Sequence, residues 1–401
     1  MIVIVSALGY FVDIYDLILF SVVRKASLMS LGFTGDELTR QGVYLLNWQM
    51  MGMLVGGILW GVLGDRKGRV SVLFGSILMY SLANIANGFV TDVDTYAVLR
   101  FIAGIGLAGE LGAGITLVSE SMTAESRGYG TMLVVSFGVF GAILAAWVGS
   151  VFTWQTAYFV GGGLGLLLLL MRVGVYESGM FREVKSSGIS RGNFLSLFTK
   201  RKQFFKYLHC ILIGLPIWYV IGILIIFSPE IADKLGIQGV SAGTAVMFCY
   251  LGLGIGDFAG GMLSQKMRSR KKIVFACILL MMLTVPLYLS ARDVSLVAMY
   301  ALCLLLGIAS GYWAIFITIA SEQFGTNIRS TVTTTVPNFV RGAVVPLTLA
   351  FSFLKDRTDI VTAAYATGAV SILLALLSLS KLSETYGKDL AYIEDENNAL
   401  S

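Results

Sequence analysis

The chain has 401 residues, 56% of them hydrophobic and only 13% charged. Soluble domains carry about 25% charged residues, so this composition excludes a protein with an ordinary water-facing surface and leaves no separate soluble domain. The formal charge of +5 follows the loops rather than gathering into a patch, which argues against a nucleic-acid partner.

A helix needs about 20 mostly apolar residues to cross a bilayer. Runs of that kind predict twelve spans, near 2–23, 43–63, 70–90, 95–118, 129–149, 153–173, 207–228, 241–264, 273–291, 295–319, 331–353 and 360–381. The reading is an all-α integral membrane protein. Of the 29 Lys and Arg, 20 fall in loops 64–70, 119–128, 172–206, 265–272, 320–330 and the tail from Lys381, and 7 in the alternate loops. Basic residues favour the cytoplasmic side, which places both termini there. No cleavable signal pattern follows Met1, and the start leaves room for a leader upstream.

Charges inside a bilayer are costly and ask for a reason. Span 1 carries Asp13 and Asp16, at a spacing that puts both on one helix face. Span 2 adds Asn47 and Gln49, then the run from Gly56 to Arg69, in which Gly57, Gly61 and Gly64 leave a smooth face for a neighbouring backbone. Asp65 ends that span, placed to pair with Arg66, Arg69 or the end of another helix. Span 4 carries Arg100 and Glu110, and Glu120 and Arg127 follow it as expected partners of the Asp65 loop. Desolvation and like-charged neighbours let a carboxylate load and release a proton near neutral pH. Asp13, Asp16 and Glu110 are therefore candidate proton carriers, and the competing reading is a fixed ion pair such as Asp13 or Asp16 with Arg100. Arg100 reads as a structural or tuning cation.

The polar segment 174–206 divides the spans six and six. The organisation expected is an N-terminal bundle 1–173, a connector 174–206, a C-terminal bundle 207–383 and a tail 384–401. A shift of 200 residues lays Gly61–Arg66 on Gly261–Lys266, and a shift of 202 lays Ser119-Glu120 on Ser321-Glu322 and Arg127 on Arg329. Gln265 stands where the first copy has Asp65, so the first-half loop is expected to be the working latch, with Glu322 and Arg329 in the second copy. The same shift lays Glu110 on Tyr312. Tyr312, Trp313, Trp218 and Tyr219 are candidate walls of a substrate pocket, although aromatics in membrane helices also serve packing. Span 11 brings Asn338 and Arg341 near mid-membrane. A guanidinium stays charged and presents a fork suited to carboxylate or phosphate, which reads as anion binding or as pairing across a cavity with a carboxylate of span 1 or span 4. The four cysteines lie in apolar runs without a CxxC pair, and the single His209 sits at a helix boundary.

Gly61-Val62-Leu63-Gly64-Asp65-Arg66-Lys67-Gly68-Arg69 is similar to the helix 2–3 signature G-x-L-x-D-R-x-G-R of the major facilitator superfamily. Asp13-x-x-Asp16 resembles the helix 1 pattern D-x-[FY]-D of its proton-coupled metabolite, aromatic-acid and phosphate symporters, and Gly106–Glu110 resembles their helix 4 G-x-G-G-[ED]. Tyr176–Phe181 and Glu322–Arg329 resemble E-S-P-x-F and E-x-[FY]-P-T-x-x-R, with Gly179 and Gly325 in place of proline. The resemblance implies two pseudo-symmetric six-helix bundles, a monomer, and alternating access around a midplane site, in a plasma membrane, the bacterial inner membrane. It also implies proton-coupled uptake of a small organic anion, with a helix 11 arginine, here Arg341, on the anion and no cofactor beyond the proton gradient.

Two rival readings remain at this level. The same fold can run proton-antiport efflux of a drug, metabolite or siderophore. Asp13, Asp16, Glu110 and Asn47 offer oxygens to a divalent cation, with Arg341 an awkward neighbour. An enzyme finds no support, since GxSxG, HExxH and P-loop patterns are absent.

Overall fold

A computed structural model describes residues 2–123, 126–172, 192–390 and 392–393. The E-S-x-x-F-like stretch Tyr176–Phe181, most of the connector including Arg182, Lys185 and Arg191, and tail residues 394–401 lie outside the described residues. Twelve helices are long and apolar enough to cross a membrane. They are α1 (Ile2–Ser30), α2 (Arg40–Lys67), α3 (Arg69–Asn87), α4 (Val93–Ser121), α5 (Arg127–Val151), α6 (Trp154–Met171), α7 (Arg201–Ile225), α8 (Ala242–Lys266), α9 (Arg270–Leu289), α10 (Leu296–Gln323), α11 (Arg329–Lys355) and α12 (Ile360–Lys381). No strand occurs among the described residues.

Large apolar side chains face outward around the molecule, among them Phe89, Leu170, Leu283 and Val297, each at least 70% exposed. Such a surface is stable only against hydrocarbon. The helices pack as two six-helix bundles, α1–α6 and α7–α12, which meet along α2 against α11 and α5 against α8. Small residues make the first seam possible. A Cβ on Gly61 would stand 2.9 Å from Thr331 Cα, one on Gly57 the same distance from Asn338 Cβ, and one on Gly64 2.3 Å from Ser330 Oγ. The glycine face read from the sequence therefore meets α11, and Gly56 turns instead to the Ile105 backbone of α4.

The two bundles differ in continuity. Helices α1–α6 run unbroken, whereas α7, α10 and α11 are each interrupted. In α7 a turn at Gly214 leads into Leu215–Tyr219, with Pro216 in its first turn, and then a π-helical stretch Val220–Ile225. In α10 the pieces Leu296–Ala309 and Trp313–Gln323 flank Ser310-Gly311-Tyr312. In α11 the break falls between Gly342 and Val344, four residues before Pro346 would need a backbone donor it lacks. Irregular backbone at membrane depth is tolerated where it lines a cavity, and the three interruptions converge on one.

Candidate functional site

A narrow cavity lies between the bundles, walled by Tyr10 and Ile14 of α1, Trp218 of α7, Tyr250 of α8, Trp313 of α10 and Arg341 of α11. The Arg341 guanidinium stands 5.8 Å from the Trp218 ring centroid and 5.7 Å from that of Trp313, between two π faces. The Trp313 indole N–H donates to the Tyr10 hydroxyl at 3.0 Å, tying α10 to α1 across the bundle boundary. Arg341 Nη1 donates to Asn338 Oδ1 at 3.4 Å. Its Nη2 lies 3.7 Å from Asp13 Oδ2, a Coulombic approach longer than a hydrogen bond. Both Asp13 oxygens, and Nε and Nη2 of Arg341, are buried without a hydrogen-bond partner. A buried ion pair with open valences on both sides can exchange partners.

The other carboxylates serve their own bundle. Asp16, expected on one face with Asp13, turns instead into the first bundle, where it meets Arg100 and Asn84 and lies against Gly161 of α6. Arg100 is held between the Phe20 and Tyr158 rings, at 5.1 and 5.7 Å from their centroids. Glu110 is gripped from below by Arg172, whose Nη1 donates to Oε2 at 2.9 Å and whose Nη2 bonds Oε1. Arg172 also reaches the Val5 and Leu73 carbonyls. The sequence reading counted Arg172 among loop cations. That placement is corrected here, for the side chain is 1% exposed and folds back into the bundle from the end of α6. The 1:1 pairing gives the long side chain a partner that a membrane interior otherwise denies it.

Several expected walls lie elsewhere. The Tyr219 hydroxyl donates to Ala364 O of α12, and the Tyr312 hydroxyl to Ile213 O of α7, so both rings brace the second bundle and do not line the cavity. Asn338 bridges bundles by donating to Ala108 O at 2.8 Å. Gln49 is buried against α4, Asn47 is half-buried on α2, and neither is among the cavity residues. Trp218, Trp313 and Arg341 are brought together as expected. Among the described residues no group of three or more His, Cys, Asp or Glu is placed to hold a metal. Asp13, Asp16 and Glu110 each face a different guanidinium.

The residues expected to form the latch come together at one end of the molecule, in two clusters. Asp65 accepts from the backbone N–H of Ser330 (3.1 Å) and Thr331 (2.8 Å) and from the Thr331 hydroxyl (2.7 Å), capping the first turn of α11. A carboxylate there also meets the positive end of the helix dipole. Arg69 lies 3.4 Å from Asp65 and 2.9 Å from Glu120, which Arg329 of the other bundle approaches at 3.4 Å. The second copy mirrors this with Glu322 between Arg270 (3.4 Å) and Arg127 (3.2 Å). Arg66 is exposed at the surface. Gln265 is buried beside Gly128, and its amide makes no hydrogen bond. The chain after α12 joins the latch, with Arg127 donating to Lys388 O and Arg329 to Leu390 O.

Sequence reasoning gave Arg172 and Arg270 no role beyond loop cations, and it passed over one further acid, Asp257 of α8, whose Oδ1 accepts from Ala314 N at 2.9 Å. Asp257 sits in Gly252–Gly260, a glycine-spaced stretch that signals a close helix contact, and that signal was available.

Comparison with known proteins places this geometry. The Major Facilitator Superfamily profile matches residues 6–345. A probable 4-methylmuconolactone transporter of Cupriavidus pinatubonensis is 24% identical, over 94% of this chain and 89% of the relative. A putative niacin/nicotinamide transporter, NiaP, of Bacillus subtilis is 25% identical, over 93% of this chain and 92% of the relative. The crystal structure of the proton:xylose symporter XylE superposes with a TM-score of 0.76 at 16% identity, covering 97% of each chain, and shows the fold. With twelve membrane helices in two bundles and a family match over residues 6–345, the chain belongs to the Major Facilitator Superfamily and is a transporter, not an enzyme.

Proposed function

We propose that the protein takes up a small planar carboxylate, of the aromatic or heteroaromatic kind, together with a proton. The observation that carries this reading is the Asp13–Arg341 pair at 3.7 Å, which spans the two bundles between the Trp218 and Trp313 indoles. A guanidinium fork bonds a carboxylate in two places, while indole faces stack on a flat ring. The relative whose name refers to niacin, a heteroaromatic acid, is consistent with such a cargo.

Charge accounting supplies the coupling. Asp13 and a substrate carboxylate compete for one buried cation. When Asp13 takes a proton it releases Arg341, and the substrate anion replaces it with no net charge added to the cavity. A bound anion beside an ionised Asp13 would leave an uncompensated charge in low dielectric, which is costly. Proton and anion therefore enter together, and the proton's downhill movement into the cytoplasm drives accumulation. Asp16 with Arg100, and Glu110 with Arg172, hold the first bundle rigid and tune the field at Asp13. The latch closes the cytoplasmic side while the site loads from outside, in a bacterial inner membrane, and the monomer is the working unit.

The test is ligand-induced thermal stabilisation of the purified protein with benzoate and nicotinate, repeated in Arg341→Ala. A ligand that binds only the folded state raises the melting temperature with its concentration. Stabilisation of the wild type that Arg341→Ala abolishes supports the assignment. Stabilisation by both acids that survives in Arg341→Ala removes Arg341 from the site.

A further inference from the structure

We infer that Asp257 is a positioning residue for the substrate site. It caps the broken half of α10 and thereby sets where Trp313 stands. The inference rests on the reading of Trp313 as a wall of that site.

The break in α10 starts a new helix at Trp313 inside the membrane, and the first N–H groups of any helix have no partner within it. The residue before it, Tyr312, provides no side-chain cap, since its hydroxyl is committed to Ile213 O. Asp257 of α8 takes that role from a neighbouring helix, accepting from Ala314 N at 2.9 Å. Asp257 is fully buried, and its second oxygen has no hydrogen-bond partner. The approach is fixed by backbone packing. A Cβ on Gly311 would stand 2.3 Å from Gly256 Cα, and one on Gly256 would stand 2.5 Å from Ile308 O. The turn 310–312 is thus pressed onto α8 at the residue adjoining Asp257.

The capped turn begins with Trp313. Its ring packs on the Arg341 guanidinium, stands 6.3 Å from the Trp218 ring and bonds Tyr10 across the bundles. A shift of the first turn of this half-helix would carry the indole with it. Asp257 is not among the residues that wall the cavity, and it meets Trp313 at the backbone, at the start of the half-helix, rather than at the indole. A general base or proton carrier would need a route to the cavity, whereas this carboxylate faces a helix end. The requirement is an acceptor oxygen at that position.

The experiment measures benzoate uptake into proteoliposomes for Asp257→Asn, which retains an acceptor oxygen, and for Asp257→Leu and Asp257→Ala, which do not. Folded protein is quantified in each case. Asp257→Asn is expected to keep KM within about threefold, and the other two to raise KM by about tenfold or more with folded yield and maximal rate largely retained. A wild-type KM in Asp257→Leu or Asp257→Ala overturns the inference. So does loss of folded protein in both, which would make Asp257 a stability residue only, and so does failure of Asp257→Asn to rescue. Trp313→Ala in parallel separates the two claims. If Trp313→Ala leaves KM unchanged, the site reading itself is wrong. If Trp313→Ala raises KM while Asp257→Leu does not, only the role of Asp257 fails.

Discussion

The two bundles share a scaffold and differ in how they dispose of charge. In the first, unbroken helices hold acids that are answered from within, Glu110 by Arg172 and Asp16 by Arg100. In the second, three helices break around a cavity, and the arginine there finds its acid across the boundary, in Asp13. An internal pair moves with its bundle and survives any rocking motion. On the proposed mechanism a pair that spans the bundles is remade or lost with each cycle, and a proton and an anion both act on it. The difference predicts which substitutions harm folding and which harm transport.

The largest effect on stability belongs to an internal pair. Glu110→Gln leaves Arg172 buried and unanswered, and removal of one member of such a pair costs about 3–5 kcal/mol. Thermal unfolding in detergent should show the loss, and Glu110→Leu with Arg172→Leu together should recover most of it. A Glu110→Gln protein as stable as wild type would erase the contrast between the bundles.

The cross-bundle arginine should behave in the opposite way. Arg341→Lys keeps a charge but loses the planar fork, and substrate affinity is expected to fall by about 10- to 100-fold, equivalent to one charge-assisted hydrogen bond at about 1.5–3 kcal/mol. Melting temperature without ligand should change little. A fall in stability matching that of Glu110→Gln would mean that Arg341 is structural as well.

The latch copies sharpen the comparison further. Asp65 makes three hydrogen bonds to the start of α11, whereas Gln265 makes none. Asp65→Ala should shift the equilibrium away from the latched state by about 2 kcal/mol, and Gln265→Ala should leave it nearly unchanged. Distances between spin labels on the exposed positions Arg66 and Lys266 report that shift.

The smallest effect lies at the surface. Asp359 caps α12, accepting from the Thr362 hydroxyl and from the Val361 and Thr362 backbone. These bonds, the Thr362 hydroxyl first, hold its carboxyl below the usual carboxylate range. The folded state therefore favours the ionised form, so the contribution is present above the ordinary carboxylate pKa and is lost as pH falls through the depressed one. Asp359→Ala should cost about 1 kcal/mol at neutral pH, and less in acid.

Much of this was legible in the sequence, because membrane spans, loop cations and glycine spacing are local signals. Twelve spans and the approach of Arg69 to Asp65 followed from such patterns, as did the placing of Trp218, Trp313 and Arg341 near one another, whereas Arg127, expected beside the Asp65 loop, pairs with Glu322 instead. Contacts set by three-dimensional direction did not. Nothing in an apolar run that ends in Arg172 says whether the side chain snorkels outward or folds back onto Glu110. Asp13 and Asp16 share a helix face by spacing, yet the bundle boundary passes between them and gives each a different arginine. Tyr219 and Tyr312 could be read as pocket walls only until their hydroxyl partners were known.

The account stands on competition between Asp13 and the substrate anion for Arg341. Benzoate binding to the purified protein in weak buffer, with proton uptake recorded, tests that competition directly. The prediction is uptake of about one proton per anion bound above the pH at which Asp13 is already protonated, because in the proposed cycle Asp13 is ionised before the anion binds and protonated once it has bound. In Asp13→Asn, benzoate should bind with no proton taken up. Undiminished proton uptake in Asp13→Asn, or none in the wild type at any pH where benzoate binds, would contradict the account.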